Sequence, residues 1–346
     1  MARVQNIPMP TSLEEVLDAD WLSGALDDIT NEDRIVAVEA VDSSKTLAQK
    51  VRFRVTVEGA DGQRRLRSYC IKGHLDGSPG NTLMSEARFY RELSPLLDVR
   101  TPRAYYTGVD DAAGQAMIIM DDIVDIGGRF LSAHSPYSLD ITRDSLSQLA
   151  RLHASTWSGA RTTGLTWLSP RIRTMAEMYP TDVLQTLLDD GRGPDIAPEL
   201  RDAKNVVEAV KRTADHETTC VIHGDTHSGN VYLDREGRSC WLDWQIVQHG
   251  HWATDISYHL GTVLDVETRR SHEGDLLRHY LKELEAGGAT APGWDEAWEK
   301  YTLSFSYGYF LWVITQISSR AVVLIHIPRL AAALTDHDTF HRLGVI

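Results

Sequence analysis

The feature that most constrains the fold is a change of hydrophobic period part-way along the chain. Val51, Phe53, Val55 and Val57 recur at every second position, the mark of a strand with one buried face. Residues 35–41 alternate in the same way. Residues 66–72 return as a third strand after the turn signal Ala60-Asp61-Gly62-Gln63. A helical stripe over about residues 82–97, carrying Phe89, Tyr90, Leu93 and Leu97, precedes two further strands near 103–109 and 115–120. After Asp121-Asp122 long helical patterns take over, at roughly 141–156, 198–214, 271–285 and 294–319. Only the segment 221–243 interrupts them. This order predicts an α+β chain in two lobes. Residues 1–122 form a small β-rich lobe with one helix, and residues 123–346 form a larger, mainly helical one.

Composition narrows the partners. The 49 acidic against 35 basic residues give a formal net charge of -14. That balance argues against nucleic acid, because neutralising phosphates needs a basic surface. Cys70, Cys220 and Cys240 are too few for a disulfide framework in 346 residues. The first six residues lack the apolar core of a signal peptide. The uncharged run 302–319 carries Ser304, Ser306, Thr315, Gln316 and Ser318 before Arg320, so it reads as a buried helix rather than a membrane span. The expectation is a cytoplasmic protein with no membrane partner; the oligomeric state is left open.

Within the interruption lies His223-Gly224-Asp225-Thr226-His227-Ser228-Gly229-Asn230, followed by Trp241-Leu242-Asp243-Trp244. A carboxylate five residues before an amide, with a second carboxylate further on, is the spacing of a kinase catalytic loop. Phosphoryl transfer needs an in-line arrangement and charge neutralisation more than covalent chemistry. Asp225 is the candidate to accept a hydroxyl proton. Asn230 and Asp243 offer the hard oxygens that magnesium prefers. The turn Asp234-Arg235-Glu236-Gly237 between two short apolar runs predicts a hairpin that brings Asn230 and Asp243 together.

Lys72 ends an otherwise apolar or small strand segment, and Glu86 falls on the buried stripe of the first-lobe helix. Each charge needs a partner there, and they suggest each other; an exposed strand end and stripe edge is the other reading. The segment 42–48 joins the first two strands without a glycine. Its Ser43, Ser44 and Thr46 are candidates to cradle phosphate, as an alternative to an ordinary polar hairpin loop.

Together these residues resemble the aminoglycoside phosphotransferase and choline kinase superfamily, with its protein-kinase-like fold, over nearly the whole chain. The resemblance implies an ATP- and Mg2+-dependent transfer of the γ-phosphate to a hydroxyl of a small molecule. It also implies that Met117-Ile118-Ile119-Met120-Asp121-Asp122 is a hinge whose backbone, at Met120 and Asp122, binds adenine. Leu149-Ala150-Arg151-Leu152-His153-Ala154 is similar to the family helix beneath the catalytic loop, and Asp255 resembles the carboxylate that buttresses it. Asp243-Trp244-Gln245 stands where protein kinases carry Asp-Phe-Gly, and no Ala-Pro-Glu follows, which argues against a protein kinase.

Two rival readings remain at this stage. Cys220, His223, His227 and Cys240 are ligand types that zinc uses. Alternatively, the chain keeps the fold as a non-catalytic nucleotide-binding or interaction protein. For the acceptor, Tyr301, Phe305, Tyr309 and Trp312, preceded by Trp294 and Trp298, form an aromatic stripe. It reads as core or, in part, as the wall of a pocket for an apolar alcohol. Only Asp336 and Asp338 stand near the C-terminus to meet a polycation.

Overall fold

A computed structural model describes residues 7–30, 32–45, 48–75, 81–159, 161–193 and 195–346. The period-two segments form one antiparallel five-stranded sheet. Its strands are β1 (Arg34–Lys45), β2 (Gln49–Glu58), β3 (Arg64–Gly73), β4 (Ala104–Asp110) and β5 (Gln115–Asp121), in the order β1-β2-β3-β5-β4. Alternation decides its two faces. Val51, Phe53, Val55, Tyr69, Ile71 and Ile119 pack outward against two short helices, α1 (Leu13–Val16) and α2 (Ala19–Ala25). The intervening Lys50, Arg52, Cys70, Lys72 and Met120 turn to the opposite face and line a cavity there.

The helix α3 (Asn81–Arg88) packs beneath this sheet and continues as a π-helical turn over Phe89–Leu93. Phe89, Tyr90 and Leu93 of this turn are all buried, as their place on one helical stripe predicts. The two lobes share one apolar core, which runs from Leu83, Phe89 and Ile118 into the helices.

The rest of the described chain is helical around two small sheets. The first helices are α4 (Leu139–Ser155), α5 (Ile172–Met178), α6 (Thr181–Asp189) and α7 (Ala203–Ala214). They are followed by α8 (Trp252–Val263), α9 (Val266–Ala286), α10 (Trp294–Leu303), α11 (Phe305–Ile314), α12 (Arg320–Asp336) and α13 (Thr339–Arg342). Ser138, Asp202 and Asp265 cap α4, α7 and α9 by accepting first-turn amides. All of α8 is buried, and α4, α9, α10, α11 and α12 pack around it. β6 (Arg129–Phe130) pairs with the hairpin β8 (Val231–Leu233) and β9 (Ser239–Trp241), while β7 (Cys220–Ile222) pairs with β10 (Gln248–Gly250). Among the described residues, no helix is long and apolar enough to cross a membrane.

Two expectations are corrected. The segment 42–45 is strand, not loop: β1 runs on through Ser43 and Ser44, which pair with Val51 and Lys50 and are exposed. Thr46 lies outside the described residues. The helix expected over 294–319 breaks at Ser304, whose hydroxyl donates to the Lys300 carbonyl at 2.7 Å and whose amide reaches only to Tyr301. It ends after Ile314, where the Arg192 guanidinium takes the carbonyls of Val313 and Thr315.

Candidate active site

The His223-Gly224-Asp225 loop leaves β7 in a conformation fixed from below. Asp255, at the start of α8 and fully buried, accepts the amides of His223 at 2.7 Å and Gly224 at 2.9 Å. His153 of α4 adds a hydrogen bond to the same carboxylate at 3.1 Å and is itself bonded to Tyr280. Gly224 adopts φ +82°, and a Cβ there would stand 2.6 Å from the Ile246 carbonyl oxygen, so the position admits only glycine without strain. The His223 ring accepts the Asp225 amide at Nδ1 and donates from Nε2 to the Leu242 carbonyl. Burial holds its imidazole below the ordinary value, in keeping with that neutral form.

The Asp225 carboxylate has a partner for each oxygen. Tyr258 donates to Oδ1 at 2.9 Å and Asn230 Nδ2 to Oδ2 at 2.9 Å. His227 Nε2 stands 3.6 Å from Oδ2, beyond hydrogen-bond range but close enough for charge to act. Burial pushes this carboxyl up, yet His227, His223 and Tyr258 together hold it at about 2. It is ionised at neutral pH.

Asp243 enters from the predicted hairpin, in which Val231 pairs with Trp241 and the Leu242 amide bonds the Asn230 carbonyl. Its φ is +64°, a left-handed conformation that aspartate tolerates better than most residues. Lys72 Nζ reaches Asp243 Oδ1 at 3.0 Å and Glu86 Oε2 at 2.5 Å, so the predicted lysine–glutamate partnership forms and is extended to the second lobe. Burial alone would discharge Lys72; Glu86 and Asp243 outweigh it and keep the ammonium charged. Burial raises the Asp243 carboxyl, but Lys72 and Lys50 hold it below its ordinary range.

Lys50, Lys72, Glu86 and Asp243 line one end of a cavity of about 100 Å³ between the lobes. Its other end is made by Met120, Asp122, Ile123, Val124 and Phe130. The Asp122 side chain is occupied: Arg52 Nε bonds both its oxygens at 3.0 Å, and it accepts the Val124 amide. What this segment offers a ligand is therefore backbone and the Met120 side chain. Ser43 and Ser44 stand on β1, outside the residues that line the cavity.

The zinc reading is overturned. Among the described residues no cluster of His, Cys, Asp or Glu can hold a metal ion. Both nitrogens of His223 are taken up internally, and Cys240 Sγ turns to the Arg238 carbonyl. Tyr301, Phe305, Tyr309 and Trp312 of the aromatic stripe are all buried in the core, with the Trp312 ring tilted over His326 (ring centroids 4.1 Å) and edge-on to His227 at 5.1 Å.

The model of the phosphotransferase enzyme family matches residues 48–297, which include Lys72, Glu86, Asp225, Asn230, Asp243 and Asp255. The chain belongs to the phosphotransferase enzyme family. No individual curated protein matches it in sequence. Among solved structures, it is similar to a Ralstonia eutropha JMP134 protein assigned to the aminoglycoside phosphotransferases, with TM-score 0.57 and 15% identity over 92% of this chain and 97% of that one. The choline kinase LicA of Streptococcus pneumoniae gives TM-score 0.52 and 15% identity, covering 93% and 99%. APH(2")-IIia in complex with GDP and kanamycin gives 0.51 and 14%, covering 93% and 97%. At these identities the likeness speaks for the two-lobed kinase-like fold.

For a member of this family, sequence reasoning missed Tyr258, His227, Tyr307 and Lys50. Tyr258 had a signal: it follows Asp255 by three residues on one helix, hence on one face. Tyr307, which donates to the Gly224 carbonyl at 3.0 Å, had none.

Proposed function

We propose that the protein is an ATP- and Mg2+-dependent phosphotransferase that moves the γ-phosphate to a hydroxyl of a small molecule. The observation that carries this reading is a chain of contacts: Asn230 donates to Asp225, the Leu242 amide bonds the Asn230 carbonyl, and the next residue, Asp243, joins Lys72 at the wall of the interlobe cavity. In this division the lobe of residues 1–122 holds the nucleotide and residues 123–346 hold the loop and the acceptor. Nucleotide use is supported by the neighbours APH(2")-IIia, solved with GDP, and LicA, solved with AMP.

The donor set fits magnesium. Asn230 spends its amide nitrogen on Asp225, leaving Oδ1, and Asp243 spends Oδ1 on Lys72, leaving Oδ2. Magnesium held there would neutralise phosphate charge. The chain's own groups do the rest. Lys72, fixed by Glu86, presents an ammonium to the phosphates. Asp225 accepts the hydrogen bond of the acceptor hydroxyl and so aims its oxygen at phosphorus. A carboxylate held at about 2 is too weak a base to remove an alcohol proton in advance. It therefore takes the proton late, as the new P–O bond makes that hydroxyl acidic and the leaving diphosphate takes the bond electrons.

The acceptor side is supported as a site for an uncharged alcohol. The rings of Tyr258, Trp312 and His326 gather about His227, which stands 3.6 Å from Asp225. The carboxylate of Asp336, a candidate for a polycation, is tied to Arg269 and Arg270. Incubation with γ-labelled MgATP and a panel of amino sugars, amino alcohols, sterol-like and macrolide alcohols tests the proposal. The expected result is label transfer to an uncharged alcohol, lost in Asp225→Asn with nucleotide binding retained. Binding without transfer to any acceptor would instead favour a non-catalytic nucleotide-binding protein.

A further inference from the structure

The β2–β3 register sets Lys50 directly opposite Lys72. Directly opposed residues of an antiparallel pair share a face, with Cβ atoms about 5 Å apart, and like charges so placed repel. Both lysines line the interlobe cavity. Lys72 is neutralised there by Glu86 and Asp243. Lys50 has no hydrogen-bond or ion-pair partner among the described residues, although it is half-buried. Its neighbours on the same strand face are matched: Arg52 by Asp122 and Arg54 by Asp125 at 3.6 Å. Asp243 and Glu86 act on Lys50 only at a distance, and their close contacts are spent on Lys72. The Lys50 ammonium therefore stands at the cavity wall with its own N–H donors uncommitted, beside a second lysine.

The described part of the segment expected to cradle phosphate, residues 42–45, is strand. Through Lys45 the chain is a ladder, with Ser44 opposite Lys50 and Lys45 opposite Gln49. Successive amides of a strand point to opposite sides, so Ser43, Ser44 and Lys45 do not converge on one phosphate as the amides of an anion-binding nest do. We infer that Lys50 binds the phosphate chain of the nucleotide together with Lys72, and that these paired strand lysines take over the work of loop amides. The inference rests on the proposed nucleotide site and adds to it a binding residue and a preference for polyphosphate over nucleoside.

The test is a calorimetric titration of wild type, Lys50→Ala and Lys50→Arg with MgATP, MgADP and adenosine, together with the nucleotide-free melting temperature. Lys50→Ala is expected to weaken MgATP and MgADP by about tenfold or more, the worth of one charge-assisted hydrogen bond. Adenosine affinity stays unchanged and Lys50→Arg restores most of the loss. Without nucleotide, Lys50→Ala melts no lower than wild type, because a repulsion has been removed. Unaltered MgATP affinity in Lys50→Ala, or an equal loss for adenosine, overturns the role of Lys50 while leaving the nucleotide site standing. Wild-type protein that binds neither MgATP nor adenosine overturns the nucleotide site itself.

Discussion

The hydroxyl of Tyr258 lies 2.9 Å from Asp225 Oδ1, one helical turn beyond the Asp255 that holds the loop backbone. A single buried helix thus fixes both the path of the loop from His223 to Asn230 and the orientation of the Asp225 carboxylate. Removing the hydroxyl in Tyr258→Phe leaves the ring in place and frees one oxygen of Asp225. A hydrogen bond to a charged group is worth about 1.5–3 kcal/mol, so kcat should fall about tenfold or more. The KM for MgATP should scarcely move. Steady-state kinetics with both substrates varied check this; an unchanged kcat would remove the orienting role.

Gly224→Ala should destabilise the protein. The left-handed φ of +82° and the 2.6 Å approach to the Ile246 carbonyl act together. Strain of this kind costs about 1–3 kcal/mol, or several degrees of melting temperature in a chain of this size. Scanning calorimetry reads the shift. A variant that melts with wild type would show that the loop can turn another way.

Lys72 and Glu86 should behave as one unit. Lys72→Met strands a buried carboxylate, and Glu86→Gln leaves Lys72 held by Asp243 alone. Each is expected to lower kcat/KM for MgATP by about tenfold or more, and the double variant by much less than the product of the two. Strict multiplication of the single effects would show that the pair does not act together.

Stability should fall in mild acid. Burial pushes the imidazoles of His251, His259 and His326 down to about 3, 4 and 3. Their unfolded values lie near 6.5, so between about pH 6.5 and 4 the unfolded chain binds more protons than the folded one. Stability is then fully present above pH 6.5 and is lost progressively as the pH drops. The urea midpoint should be clearly lower at pH 5 than at pH 7. A midpoint flat across that range would contradict neutral burial of these rings.

The strands, the first-lobe helix and the motif loop were legible because each writes a local period or a fixed spacing into the chain. Even the Lys72–Glu86 contact could be inferred, since two charges on apolar surfaces require an answer. Other features were not local. β1 is an edge strand whose outer half is exposed on both sides, so Ser43 and Ser44 carry no alternation to mark them as strand. The opposition of Lys50 and Lys72 depends on register, which appears only once the strands pair. The break at Ser304 and the capture of Asp122 by Arg52 likewise come from tertiary hydrogen bonds.

Trp244, which follows Asp243, lies flat on Phe89 of the π-helical turn, with ring centroids 3.8 Å apart and planes within 10°. Its indole N–H also bonds Thr101. The helix bearing Glu86 and the segment bearing Asp243 are thereby fastened along one seam, and neither can swing without unstacking the other. The positions of Glu86 and Asp243, the two carboxylates on Lys72, thus become a single variable: loosening either ring would shift both ends of that lysine's contacts at once.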